Sequence, residues 1–195
     1  MKNGDIIIDV RGLTKIYGDR KVVDNFDLRV PKGAVYGFLG PNGSGKTTTI
    51  RMVCGLVKPN AGEGRCLGWD VISQSDEIKT EVGYMTQKFS LWEDLTIQEN
   101  LDFVARMYDI EDRQNRVLAA LDDLGLRGRS HQLAGSLSGG WKQRLALAAC
   151  MIHNPKLLLL DEPTAGVDPK ARREFWDTIH DLADKGVTIL VSTHY

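Results

Sequence analysis

The segment GPNGSGKT, residues 40–47, sets glycines, a lysine and a threonine at the spacing G-x-x-x-x-G-K-[ST]. Glycines at these positions admit a tight turn and aim successive backbone N–H groups at phosphate oxygens. Lys46 would neutralise terminal phosphates, and the Thr47 hydroxyl would ligate a hard divalent cation. A second chemical segment, LLLLDE at 157–162, ends an apolar run with two acids. Asp161 could hold magnesium, directly or through water, and Glu162 sits where a carboxylate could polarise an attacking water. The third, LSGGWKQRLALAA at 137–149, puts a serine and two glycines at the mouth of an apolar helical run. Backbone N–H groups and the positive helix end make such a mouth anion-seeking as well. Taken singly, the first two read as a glycine-rich turn and as an acidic strand end that caps a helix; together they favour nucleotide binding.

These residues need a scaffold, and the pattern supplies one. The apolar run 34–39 predicts a strand covered on both faces, feeding the phosphate loop and then a helix over about 46–56. Before it, DIIIDVRGLTKIYG and KVVDNFDLRV alternate as an antiparallel β portion, while KPNAGEG at 58–64 has turn chemistry. SQSDEIKTEVGYMTQ predicts a short helix and a strand. Thr96 with Glu99 three residues on gives a capping box for a helix through TIQENLDFVARMYDI. QNRVLAALDDLGL gives another, stopped near Gly125. Two helices with no strand between them predict an inserted helical lobe. The body resumes with a helix in GWKQRLALAACMIH, a buried strand KLLLLD, a helix over about 170–184 and the strand GVTILVS. The fold class is α/β with a parallel-sheet core. One domain spans 1–195, its core formed by 1–87 and 150–195 and its lobe by about 88–149.

Composition narrows the function further. Twenty-five Lys and Arg against 26 Asp and Glu leave a net charge of −1, which gives no general electrostatic reason to bind nucleic acid. Cys54, Cys66 and Cys150 match neither a zinc site nor a disulfide framework and read as reduced, apolar filler. No run approaches the roughly 18 apolar residues of a membrane span, and MKNGDIIIDV is not a signal peptide. A membrane role would therefore come through a partner.

LSGGWKQ narrows the choice among phosphate-loop ATPases. The chain resembles the ATP-binding-cassette (ABC) ATPases from about Ile7 to His194, with the family's motifs in order. The resemblance implies that Tyr17 stacks on adenine and that Gly40, Pro41, Asn42, Gly43, Ser44, Gly45, Lys46, Thr47 and Thr48 form the Walker A loop around ATP. It implies that Gln87 is the Q-loop glutamine, touching Mg²⁺ at the joint between body and lobe. Ser138, Gly139 and Gly140 match the signature, and Asp161 and Glu162 match the Walker B aspartate and the catalytic glutamate. Asp168 matches the D-loop aspartate and His194 the switch histidine near the γ-phosphate. Alone, Tyr17 reads as a packed surface aromatic, Gln87 as a polar strand end and His194 as a loop histidine; order and spacing carry their assignment. His131, His153 and His180 keep the bland reading, and Trp141 reads as packing and surface.

In this family two cassettes pair head to tail, each ATP lying between one Walker A loop and the other's signature. The resemblance therefore implies a second ABC ATPase domain as partner, either a copy or a paired cassette, and membrane-spanning permease subunits or segments. It places the chain at the cytoplasmic face of a bacterial inner membrane. The stretch from LSGGWKQ to DPKARREFW, with STHY at the end, is most similar to bacterial ABC-2-type exporters of drugs, antibiotics or polysaccharides. A non-transport ABC ATPase of repair or translation, or a fragment that binds nucleotide without turning it over, are the alternatives. The family continues past the switch histidine, so 1–195 reads as part of a longer polypeptide, with the strand GVTILVS lacking part of its cover.

Overall fold

The computed structural model describes residues 5–193. His194 and Tyr195 lie outside the described residues, and the switch-histidine assignment falls there.

Two sheets form the body. The first is antiparallel, with spatial order β2 (Arg20–Pro31), β1 (Ile6–Tyr17), β4 (Ala61–Cys66) and the two-residue β5 (Trp69–Asp70). The second is wholly parallel: β3 (Val35–Leu39), β8 (Thr188–Thr193), β7 (Leu157–Asp161) and β6 (Val82–Met85). Strand alternation divides the leucine run of β7 between two cores. Leu157 and Leu159, with Leu190 of β8, face the antiparallel sheet and helix α1 (Lys46–Val53). Leu158 and Leu160, with Ile189 and Val191, face the other way onto α5 (Gly139–Met151), α6 (Pro169–Asp184) and the lobe helices. A short helix α2 (Ser75–Glu81) precedes β6 and buries Ile78 in the first of these cores.

The lobe is built on α3 (Ile97–Met107) and α4 (Arg113–Asp123). Its expected capping box is present: Thr96 Oγ1 accepts from the Glu99 N–H at 3.1 Å, and Glu99 accepts from the Thr96 N–H at 2.8 Å. The predicted stop at Gly125 is a paired C-terminal turn, with Leu126 N–H on the Leu121 carbonyl and Gly125 N–H on that of Asp122. From α4, Arg116 donates to the Met151 and Ile152 carbonyls at 2.7 and 2.6 Å, satisfying the C-terminal end of α5.

Three expectations need correction. The run 34–39 is not covered on both faces: β3 is the edge of its sheet, with Tyr36 39% and Leu39 67% exposed. The strand GVTILVS, expected to lack cover, is instead the buried interior strand β8 between β3 and β7. Ile189 and Val191 pack into one core and Leu190 into the other, so both faces of β8 are covered and the exposure falls on β3 beside it. The segment 58–64 is only partly a turn, because β4 starts at Ala61 and pairs with β1. Glycine makes this pairing possible: at Gly64 (φ +142°) an added Cβ would collide with the Asp9 carbonyl oxygen.

Candidate functional site

All four parallel strands end on the same side, and their C-terminal ends gather the chemical residues, as open α/β sheets do. The phosphate loop follows β3, Gln87 follows β6, Asp161 ends β7 and Ser192 is the next-to-last residue of β8. The loop enters α1 through Gly45, whose φ of +89° places it in the left-handed region. A Cβ there would sit 2.7 Å from the Val22 carbonyl oxygen, so only glycine lets β2 and the loop approach so closely. Lys46 is 5% exposed and its Nζ donates to the Gly40 and Pro41 carbonyls at 2.6 and 2.8 Å. The ammonium is thereby held over the loop.

Behind the loop lies a bonded set of side chains. Thr47 Oγ1 donates to Asp161 Oδ2 at 2.7 Å, and Ser192 Oγ donates to Asp161 Oδ1 at 2.6 Å. Both carboxylate oxygens of Asp161, which is 2% exposed, are thus satisfied. The Glu162 N–H is shared between the Ser192 hydroxyl and the Ser192 carbonyl, each at 3.1 Å. Glu162 itself has φ +47°, a left-handed conformation that a non-glycine residue seldom adopts. Gln87 Nε2 donates to Glu162 Oε2 at 3.0 Å. Asn42, Gly43, Gly45, Lys46, Thr47, Thr48, Gln87 and Glu162 line one groove of about 450 Å³.

Other expected residues stand apart from that groove. Tyr17, half exposed at the end of β1, is not among its lining residues; Lys15 Nζ lies 5.2 Å from its ring centroid. Across the hairpin Tyr17 pairs with Arg20, and Arg20 and Val22 do line the groove. The sequence signals neither residue: Val22 reads there only as strand, and Arg20 falls between the two predicted strands. Asp168 caps α6, its Oδ1 accepting from the Lys170 and Ala171 N–H groups at 3.1 and 3.0 Å. Ser138 is the N-cap of α5 without a side-chain capping bond, and neither it, Gly139 nor Gly140 lines the groove. Gly140 packs on the start of α6: a Cβ there would lie 2.6 Å from that of Ala171. Trp141 is flanked by two guanidinium groups, with Arg129 and Arg144 Cζ at 4.5 and 5.2 Å from its ring centroid. The thiols are poor nucleophiles, burial pushing Cys54 and Cys150 up to about 12.

Known proteins are similar to this chain in sequence and fold. A model of the ABC transporter family matches residues 23–165. The probable multidrug ABC transporter ATP-binding protein YbhF of Escherichia coli (strain K12) is 43% identical over 194 residues, 98% of this chain and 34% of that protein. The daunorubicin/doxorubicin resistance ATP-binding protein DrrA of Streptomyces peucetius is 42% identical over 190 residues, 96% of this chain and 58% of that protein. The chain therefore spans only part of the length of the curated relatives it matches. The solved dimeric structure of the ATP-binding cassette MJ0796, in a post-hydrolysis state bound to ADP and Pi, superposes with TM-score 0.84 at 28% identity. That superposition covers 96% of this chain and 88% of that one. With the family model spanning most of its length and its strand-end site in the expected order, the chain belongs to the ABC transporter family.

Proposed function

We propose that the chain binds ATP with magnesium in the groove at the strand ends, hydrolyses it, and drives export through separate membrane-spanning segments. The observation that carries this reading is the convergence of the phosphate loop, Gln87 and Glu162 on one groove, with Asp161 bonded directly behind it to Thr47. Gly40 to Thr48 would wrap the phosphates with backbone N–H groups, and Lys46 would leave the loop carbonyls for the terminal phosphates. Tyr17 would stack on adenine beside Arg20.

The residues present fit magnesium, because Thr47 and Asp161 offer hard oxygen donors that already meet at 2.7 Å. Thr47 and Asp161 would hold the ion, with Gln87 joining them, and when bound it would offset the charge of the phosphates. Glu162 is the residue to orient the attacking water and accept its proton, steered by Gln87. His194 would support that water. The bond formed is from the water oxygen to the γ-phosphorus, the bond broken is to the β–γ bridging oxygen, and ADP leaves with the electron pair.

Ser138, Gly139 and Gly140 are the donors for a second cassette's γ-phosphate, with Asp168 at that same junction. Pairing would then depend on ATP and reverse when the γ-phosphate contact is cut. The dimeric cassette structure and two relatives, a probable multidrug ABC transporter ATP-binding protein and a daunorubicin/doxorubicin resistance ATP-binding protein, support this reading. Among the described residues no helix is long and apolar enough to cross a membrane. By its likeness to transporter ATP-binding proteins, the chain is proposed to act at the cytoplasmic membrane face with permease segments as partners.

Phosphate release from ATP by the full chain with Mg²⁺ tests the core of the proposal. Turnover that vanishes in Lys46→Ala is expected; absence of ATP binding at millimolar concentration overturns it. Coupling to export is tested by reconstituting the chain with its membrane-spanning partner in vesicles and following ATP-dependent drug movement.

A further inference from the structure

Ser192 is fully buried, lies on β8 rather than on either acid's strand, and touches both acids of the site. Its hydroxyl has one proton to give and gives it to Asp161 Oδ1 at 2.6 Å, within the short range of charge-assisted O–H···O⁻ bonds. The same oxygen accepts from the Glu162 N–H at 3.1 Å. Asp161 Oδ2 is taken by Thr47 at 2.7 Å. The carboxylate is therefore suspended between a hydroxyl of the phosphate-loop helix and a hydroxyl of β8, and its plane is set by both. Only one of those hydroxyls belongs to the phosphate loop.

We propose that Ser192 is a positioning residue for the metal-binding acid: its hydroxyl fixes the Asp161 carboxylate so that Thr47 and Asp161 present a ready pair of oxygens to the divalent cation. The inference rests on the proposed function and extends it to a residue that has been given no role above. Removing the hydroxyl leaves the Glu162 N–H its second acceptor, the Ser192 carbonyl, so the damage falls first on Asp161. Groups that orient metal ligands in this way commonly change metal affinity or activity by about 10- to 100-fold when removed.

The test measures the affinity of the full chain for a non-hydrolysable ATP analogue, once with Mg²⁺ and once in EDTA. The wild-type ratio of the two defines the metal-dependent gain. Ser192→Ala is expected to reduce that gain by about 10-fold or more while leaving the EDTA affinity near wild type. Ser192→Cys, close in volume but a weak donor, should behave like the alanine variant, and Ser192→Thr, which keeps the hydroxyl, should restore most of the gain. An unchanged gain in Ser192→Ala and Ser192→Cys would overturn the assignment. So would equal losses with and without metal, or a threonine variant as impaired as alanine. If the wild type binds no analogue under either condition, the proposed function fails instead, a result distinct from all of these.

Discussion

The two anion-seeking regions are built on opposite plans. At the strand ends, side chains from α1, β7, β8 and the segments after β6 and β7 bond to one another, and both carboxylate oxygens of Asp161 are engaged. At residues 138–140 the donors are backbone N–H groups at an exposed helix start, with no side-chain cap and none of them lining the groove. One region is preorganised from within the fold. The other is a largely exposed helix start whose backbone N–H groups and positive end are anion-seeking. On the proposed function, that difference makes nucleotide binding and association separable by mutation.

The largest effect should come from the strand-end region. Glu162→Gln replaces the carboxylate by an isosteric amide, so turnover should fall by about 10²- to 10⁴-fold. ATP affinity should stay close to wild type, and an ATP-dependent dimer should become visible by size-exclusion chromatography. Near-normal phosphate release would remove Glu162 from its role.

Next in size is the signature. Ser138→Arg or Gly139→Asp should leave ATP binding by a single chain largely intact, because neither residue lines the groove. Hydrolysis should nevertheless drop by about 100-fold or more, as when a preorganised donor to a developing charge is removed, and the ATP-dependent dimer should vanish. Loss of ATP affinity in parallel with hydrolysis would show that the two regions are not separable.

A smaller effect probes how α5 is seated. Gly140→Ala would force its new methyl against Ala171, at a cost of about 1–3 kcal/mol by overpacking. Ala171→Gly costs about 1 kcal/mol of helix propensity by itself but reopens the space. Urea unfolding of both single variants and the double should give a double variant more stable than the sum predicts. Strict additivity would mean that the α5–α6 contact does not seat the signature.

Legibility followed sequence separation. The phosphate loop, the Thr96–Glu99 box and the Gly125 stop are local, and residue type plus spacing was enough to read them. What failed depended on which strand lies beside which. Leu39 and Tyr36 carry the same apolar signal as Leu158, but β3 is at an edge and β7 is not. Gly62 and Gly64 look like turn residues, yet they serve a close pairing with β1 some fifty residues away in sequence. Arg20 and Val22 reach the groove only because Gly45 lets β2 approach. Asp168 illustrates a third case: the motif found the residue, and the structure adds a helix-capping bond that the motif did not imply.

The smallest effect concerns neither anion region, and for that reason it sharpens the contrast between them. His153 follows α5 and stacks on Tyr108 of the α3 end, ring centroids 3.8 Å apart, with Nε2 3.2 Å from the Val82 carbonyl oxygen. Its Nδ1 is buried without a hydrogen-bond partner among the described residues. Burial holds its pKa below the ordinary histidine value; the contact with Val82 opposes that shift and the nearby Arg116 guanidinium adds to it. The folded state therefore favours the neutral ring, and the unfolded chain binds the extra proton first. The stabilising contribution is complete above about pH 6.5 and is lost as pH falls from there through the lower folded-state value. His153→Phe keeps an aromatic ring against Tyr108 without a titrating nitrogen, so its urea midpoint should change less between pH 7.5 and 5.5 than that of the wild type. Because His153 lies outside the groove and the signature, ATP affinity should not follow the same variant. Equal pH dependence in the two proteins would assign the acid sensitivity to other groups, and a shift in ATP affinity would mean that the base of the lobe reports on the strand-end site after all.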